Sequence, residues 1–288
     1  MSIDILQEKI RKTKCPILVD FSVCRDTLPT RYADAAPAEG LAAFCRELMV
    51  GLKGAVPGLR FSFDQFALLG SAGLRVLSEL LSEARDLGFY VVLDGPAIHT
   101  SWAAQRAAAL LEENSEFYCD SLIVNAYIGS DSLRPFLERC KVGKSLFVLS
   151  RSANRSAAEL QDLMAGSRLV HMAMADIVNR FGEPLIGKSG YSAIGAVTSA
   201  TSANAVRELR NKYKRMFLVV DGLDYPGGNG KNASLGFDRF GHGCVLSVGP
   251  AVTAAWKEVD GGEDRFVKCA QEAVDRIRNN MNRYISIL

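Results

Sequence analysis

Eight short apolar runs, separated by longer stretches of helical periodicity, constrain this chain more than any other feature. The runs are Pro16–Phe21, Leu59–Asp64, Tyr90–Gly95, Ser121–Tyr127, Lys144–Ser150, Ala193–Ala200, Met216–Gly222 and Gly243–Pro250. They are rich in Val, Ile, Leu and Phe and lack strict alternation, the pattern of a strand buried on both faces of a parallel sheet. Between them, apolar residues recur at helical spacing over 38–51, 71–87, 101–113, 132–140, 156–165, 168–181, 203–213 and 263–284. Ser71, Ser132 and Ser156 are expected to cap three of these helices. Strands and helices alternating in this number predict an α/β fold, a single (β/α)8 TIM barrel over residues 1–288. The rival, a doubly wound sheet, would carry a GxGxxG turn after its first strand, and PILVDFSVCRDTLP has none.

Composition removes several function classes. Lys plus Arg total 34 and Asp plus Glu 32, a net charge of +2, too near neutral for a general nucleic-acid or polybasic membrane protein. No window nears the ~18 uninterrupted apolar residues of a membrane span, and the opening MSIDILQEKIRKTK lacks the apolar stretch of a signal peptide. Seven cysteines, with no CxxC, read as reduced thiols of a cytoplasmic protein. Three histidines without HExxH or a Cys/His cluster argue against a metal site. Trp102 and Trp256 sit among helical apolar residues and are expected to pack in the core.

In a barrel, function gathers at the carboxyl ends of the strands. Asp94, closing VVLDG, reads either as an acid/base or ligand-positioning group or as a turn or N-cap residue. His99, five residues on, reads as a surface loop residue or a titrating group. The stretch 221–230, DGLDYPGGNG, reads as an anion-binding loop, in which glycines let backbone N–H groups approach a phosphate, or as a long turn-rich loop with Lys231 beside it. Ser150–Asn154 offers groups able to read a polar ring edge, or a capping turn.

The order of these motifs resembles the orotidine 5′-phosphate decarboxylase family in its longer bacterial form. The resemblance is most specific in CDSLIVNAYIGSDSLRPFLE and SLFVLSRSANRSAAELQDL, with Asp120, Asn125, Tyr127, Gly129, Asp131, Ser132, Arg151, Ser152 and Asn154 matching the family blocks. It is looser at Thr198 in the sixth strand, at Gly70 after the second, and at Gly222, Gly227 and Gly228 in a phosphate-loop-like segment. The resemblance implies decarboxylation of orotidine monophosphate (OMP) to UMP in pyrimidine biosynthesis without metal or organic cofactor. It also implies a nucleotide ligand and a homodimer with Thr100 near the partner chain. By the same resemblance Asp94 and Arg60 stand at catalytic positions, and Asp20, Ser22, Asn125, Ser152, Thr198, Gly222, Gly227 and Gly228 at substrate-binding ones.

The family mechanism relies on a lysine at strand two and an Asp-x-Lys-x-x-Asp array at strand three. Here Arg60 stands at the first lysine position and Pro96 at the catalytic one; the second aspartate has no counterpart. The family's aspartate after strand one aligns with Ser22, Asp20 lying two residues earlier, and the phosphate-binding arginine expected near Gly249-Pro250 is replaced. Each missing charged partner removes transition-state stabilisation, so the expectation is weak or absent decarboxylation. The alternative role is a catalytically inactive, nucleotide-binding or structural member; an enzyme of different chemistry on the same scaffold ranks below both.

Overall fold

A computed structural model describes residues 1–288. Eight parallel strands close into a barrel: β1 (Ile17–Asp20), β2 (Gly58–Ser62), β3 (Tyr90–Asp94), β4 (Ser121–Val124), β5 (Ser145–Leu149), β8 (Ile194–Ser199), β9 (Leu218–Asp221) and β10 (Cys244–Val248), in that order around the ring. Two further short strands, β6 (Met164–Ala165) and β7 (Arg168–Leu169), form an antiparallel hairpin after β5. All eight predicted strands exist, and the chain is the predicted TIM barrel.

Strand alternation divides the core into two bodies. Side chains facing outward pack with the helices into a large shell that includes Ile17, Phe61, Leu93, Leu146, Leu218 and Leu246. Those facing inward, among them Leu18, Tyr90, Val92, Ile123, Phe147, Val197, Phe217, Val219 and Val245, fill the barrel itself. The helix Ser2–Thr13 closes the amino-terminal end, which we call the foot: Ile3, Leu6 and Ile10 are fully buried against the interior set. The next inward layer toward the carboxyl end is polar, and it forms the mouth. No helix is long and apolar enough to cross a membrane.

Several local expectations are corrected. The stretch 156–165 is not a helix but a 3-10 turn, Arg155–Glu159, running into the hairpin. Its Leu160, Leu163 and Met164 are exposed, so their spacing reports no buried face. The helix expected over 101–113 is α-helical only through Ala107. Ser71, Ser132 and Ser156 cap nothing; the side-chain caps are Ser62, Thr100, Ser202 and Asn229. Trp102 is 70% exposed rather than buried, while the Trp256 indole is half-buried and donates to the Thr27 carbonyl. All seven cysteines are free, six of them buried, and burial pushes the Cys15, Cys119, Cys140 and Cys244 thiols up to about 12.

Candidate active site

Register places the mouth residues. β1 pairs with β2 so that Asp20 lies opposite Arg60, and β2 pairs with β3 so that Ser62 lies opposite Asp94. Asp20, Asp94, Asp221 and Ser247 each lie two residues beyond an interior residue of their own strand, and Arg60 two beyond Gly58, where a Cβ would meet the interior Leu18 and Tyr90, so all point inward at one level. The result is one guanidinium held by three carboxylates. Arg60 Nη2 donates to Asp94 Oδ2 at 2.5 Å; Nη1 donates to Asp221 Oδ1 at 3.0 Å and to the Ser247 hydroxyl at 3.0 Å, and stands 3.5 Å from Asp20 Oδ2. Asp20 Oδ1 accepts from the Ser22 N–H (2.9 Å) and hydroxyl (2.6 Å), so the serine at the family's aspartate position orients the aspartate two residues earlier.

Burial disfavours the Arg60 charge, but Asp221, Asp20 and Asp94 outweigh it and hold the guanidinium firmly protonated. The same burial pushes the Asp94 and Asp221 carboxyls above their ordinary values, and neighbouring carboxylates add to the rise, against the pull of Arg60. One cation shared three ways does not offset the desolvation of the Asp94 and Asp221 carboxylates.

A cavity of about 520 Å³ opens above this cluster. Among the predicted residues it brings together Asp20, Ser22, Arg60, Ser152 and Gly222, with Asp94 bonded to Arg60; Asp221, Asp224, Tyr225 and Ser247 join them. It does not bring in Asn125, exposed and folded onto the Tyr127 N–H, nor Thr198, which is fully buried and points the opposite way from Val197 and Ser199 on β8. His99 and Thr100 are exposed on the loop after β3, and Lys231 is exposed outside the cavity. Ser152 is held by Gln161, whose Oε1 accepts from the Ser152 N–H at 2.8 Å. Arg151 is engaged by Asp162 through Nε and Nη2 and faces away from the cavity lining.

The glycine loop closes on itself. Gly222 and Gly227 adopt φ of 94° and 89°, and a Cβ at Gly228 would come within 1.8 Å of the Gly222 carbonyl oxygen. Gly227 and Gly228 therefore shape the turn without lining the cavity. The N–H groups of Gly249 and Ala251, at the turn after β10, do meet an anion, but it belongs to the chain: Asp224 accepts from both, at 2.8 and 2.7 Å. Asp224 lies within the stretch 221–230 read as an anion-binding loop, but its role as the anion held by the turn after β10 was not read; the only signal for it was an aspartate three residues beyond a strand end in a glycine-rich loop.

Fold and site define a (β/α)8 barrel with a charged, ligand-sized mouth at the strands' carboxyl ends. No protein-family model matches the chain. Individual proteins do. An orotidine 5′-phosphate decarboxylase from Petrotoga mobilis is 30% identical over 288 residues, covering 98% of each chain. One from Rhodopirellula baltica is 29% identical over 267 residues, covering 91% of this chain and 88% of that one. Among solved structures, the Leishmania donovani OMP decarboxylase superposes with a TM-score of 0.71 at 23% identity over 96% of this chain and 99% of that one. The Plasmodium berghei enzyme does so with 0.75 at 13% identity over 97% and 99%; at these identities the two show the fold. The chain belongs to the orotidine 5′-phosphate decarboxylase family.

Proposed function

We propose that this chain is a non-decarboxylating member of its family, whose mouth binds a polar ligand that lacks a phosphate. The observation that carries this reading is that Arg60 is the only cation lining the mouth, already tied to three carboxylates. By the family resemblance, decarboxylation needs an ammonium to stabilise the developing carbanion and protonate it. A guanidinium stays protonated at working pH and is a poor proton donor. Pro96 supplies neither charge nor proton, and no lysine lines the cavity. A ligand carrying both phosphate and carboxylate would meet Asp20, Asp221 and Asp224, and would find the Gly249 and Ala251 N–H groups already occupied. Spectrophotometric loss of OMP tests the reading: the expected result is no turnover above background at micromolar protein, and clear turnover overturns it.

One observation favours a second reading. The raised Asp94 and Asp221 carboxyls could hold a proton and deliver it in place of an ammonium. Turnover by that route would be lost as pH rises and the donor ionises, giving an acid-favoured rate profile.

We further propose a homodimer with Thr100 near the interface. Thr100 caps the helix Ser101–Ala107, and the exposed indole of Trp102 stands beside it, with exposed Ile128 on the loop after the neighbouring strand β4. Sedimentation at tens of micromolar should show a dimer; only monomer would remove this proposal.

A further inference from the structure

The foot of the barrel carries a second cavity, of about 920 Å³, that shares no residue with the mouth. It lies between the helix Ala203–Lys212, the segment after the short helix Gly230–Ser234, and the chain following the helix Phe266–Met281. Five basic side chains line it, Arg207, Arg210, Lys214, Arg239 and Arg283, against a single carboxylate, Asp238. Asp238 is already committed: it accepts from the Tyr191 hydroxyl at 2.6 Å and from the N–H groups of Phe240 and His242 at 2.8 and 2.9 Å.

None of the five cations pairs with a carboxylate. Arg210 is the unusual one. It is 5% exposed, and its guanidinium donates to the carbonyls of Gly236, Tyr213, Lys214, Met216 and Gly243. Those dipoles satisfy its N–H groups but bring no negative charge, so a buried cation without an ionic partner underlies the groove. Arg207, Lys214, Arg239 and Arg283 are exposed around it. Arg239 lies over the Phe240 ring at 4.6 Å, and the Tyr284 ring is 48% exposed at the same groove. A solvated surface needs none of this: scattered lysines and arginines usually alternate with acids.

We propose that this groove binds a nucleoside polyphosphate, its phosphates held among Arg207, Lys214, Arg239 and Arg283 and its base laid against Tyr284. Several separated cations suit a multiply charged chain better than a single phosphate. The volume lies within the range of small-molecule sites, ~300–1,000 Å³, and an aromatic face accepts any base by stacking. Because no group is shared with the mouth, this site stands or falls independently of the reading given above.

Calorimetry on the full chain with UTP and with tripolyphosphate, at about 50 mM and about 300 mM salt, tests it. The expected result is one UTP site of micromolar affinity at low salt, weakening roughly tenfold at high salt as charge is screened. Tripolyphosphate should bind at least about fivefold more weakly, since it cannot stack. R239E combined with R283E should cost more than about tenfold in affinity, and both positions are exposed, so the melting temperature should hold. Tyr284→Ala should remove the advantage of UTP over tripolyphosphate, and UTP should protect Lys214, not Lys231, from acetylation. Absence of UTP binding below about 1 mM, equal affinity for tripolyphosphate, or undiminished binding by the double variant overturns the proposal.

Discussion

At the foot of the barrel Tyr90 and Phe217 pack toward the apolar face of the helix Ser2–Thr13; at the mouth, one layer of strand residues further on, Asp20, Asp94 and Asp221 compete for Arg60. The same inward alternation builds both ends. At the foot Asp4 accepts from the Ser189 N–H at 2.8 Å and from the chain's own terminal ammonium at 3.0 Å. Burial would raise this carboxyl, but those partners overcome it and hold it at about 2. At the mouth the balance reverses, and burial holds Asp94 and Asp221 high. A lowered carboxyl adds stability that is lost only as pH falls through its folded value, whereas a raised one adds stability present at low pH and lost as pH rises. The Asp4 contact that ties the first helix to the foot thus holds at neutral pH, while the mouth keeps the burial cost of its carboxylates, the usual mark of a site kept for binding or chemistry.

The largest expected effect is at the mouth. Arg60→Met leaves three carboxylates with no cation and should cost about 3–5 kcal/mol at pH 7 in denaturant unfolding, partly regained on acidification. A loss below about 1 kcal/mol would mean that solvent, not Arg60, already neutralises the cluster, and the contrast with the foot would fade. Next, Leu6→Ala should cost about 3 kcal/mol through the cavity it opens, with no dependence on pH between 5 and 8, because no ionisable group changes partner. The smallest effect sharpens the comparison most. Asp221→Asn keeps an oxygen that Arg60 Nη1 can reach but removes one anion, so it should leave the protein as stable as the parent or more so, by up to about 1 kcal/mol at pH 7. The sign follows from the raised carboxyl: the parent loses stability as pH rises past the ordinary carboxyl range and Asp221 is forced to ionise, so the gain should vanish below about pH 4. A clear loss at pH 7 would show that Asp221 is a satisfied partner of Arg60.

The barrel was legible because a strand buried on both faces writes an uninterrupted apolar run, as in MFLVVDG, and the eight runs needed no long-range information. The convergence of Asp20, Arg60 and Asp94 followed from the barrel itself, since strand ends meet at one rim. What stayed hidden depends on partners distant in the chain. Asp221, closing LVVDG as Asp94 closes VVLDG, was placed at the rim, but its pairing with Arg60, 161 residues away in the chain, leaves no local mark. Asp224 reaches the Gly249 N–H across 25 residues. The 156–165 error has a local cause: Leu160 and Leu163 recur at helical spacing but are exposed, and the stretch runs into the β6–β7 hairpin, which Gly166, just beyond it at φ 68°, turns. Trp102 shows the converse, a large apolar residue at helical spacing left 70% exposed, because pattern alone cannot say which face of a short helix is covered.

The most direct test of the central claim is a single-turnover experiment with OMP labelled at its carboxylate carbon and the protein in molar excess, so that slow product release cannot mask the chemical step. The account predicts no labelled carbon dioxide above the uncatalysed background across the pH range in which the protein is folded. A burst of release approaching the amount of bound OMP at neutral pH would contradict it, by showing that the Arg60 cluster stabilises and protonates a carbanion without an ammonium at the mouth.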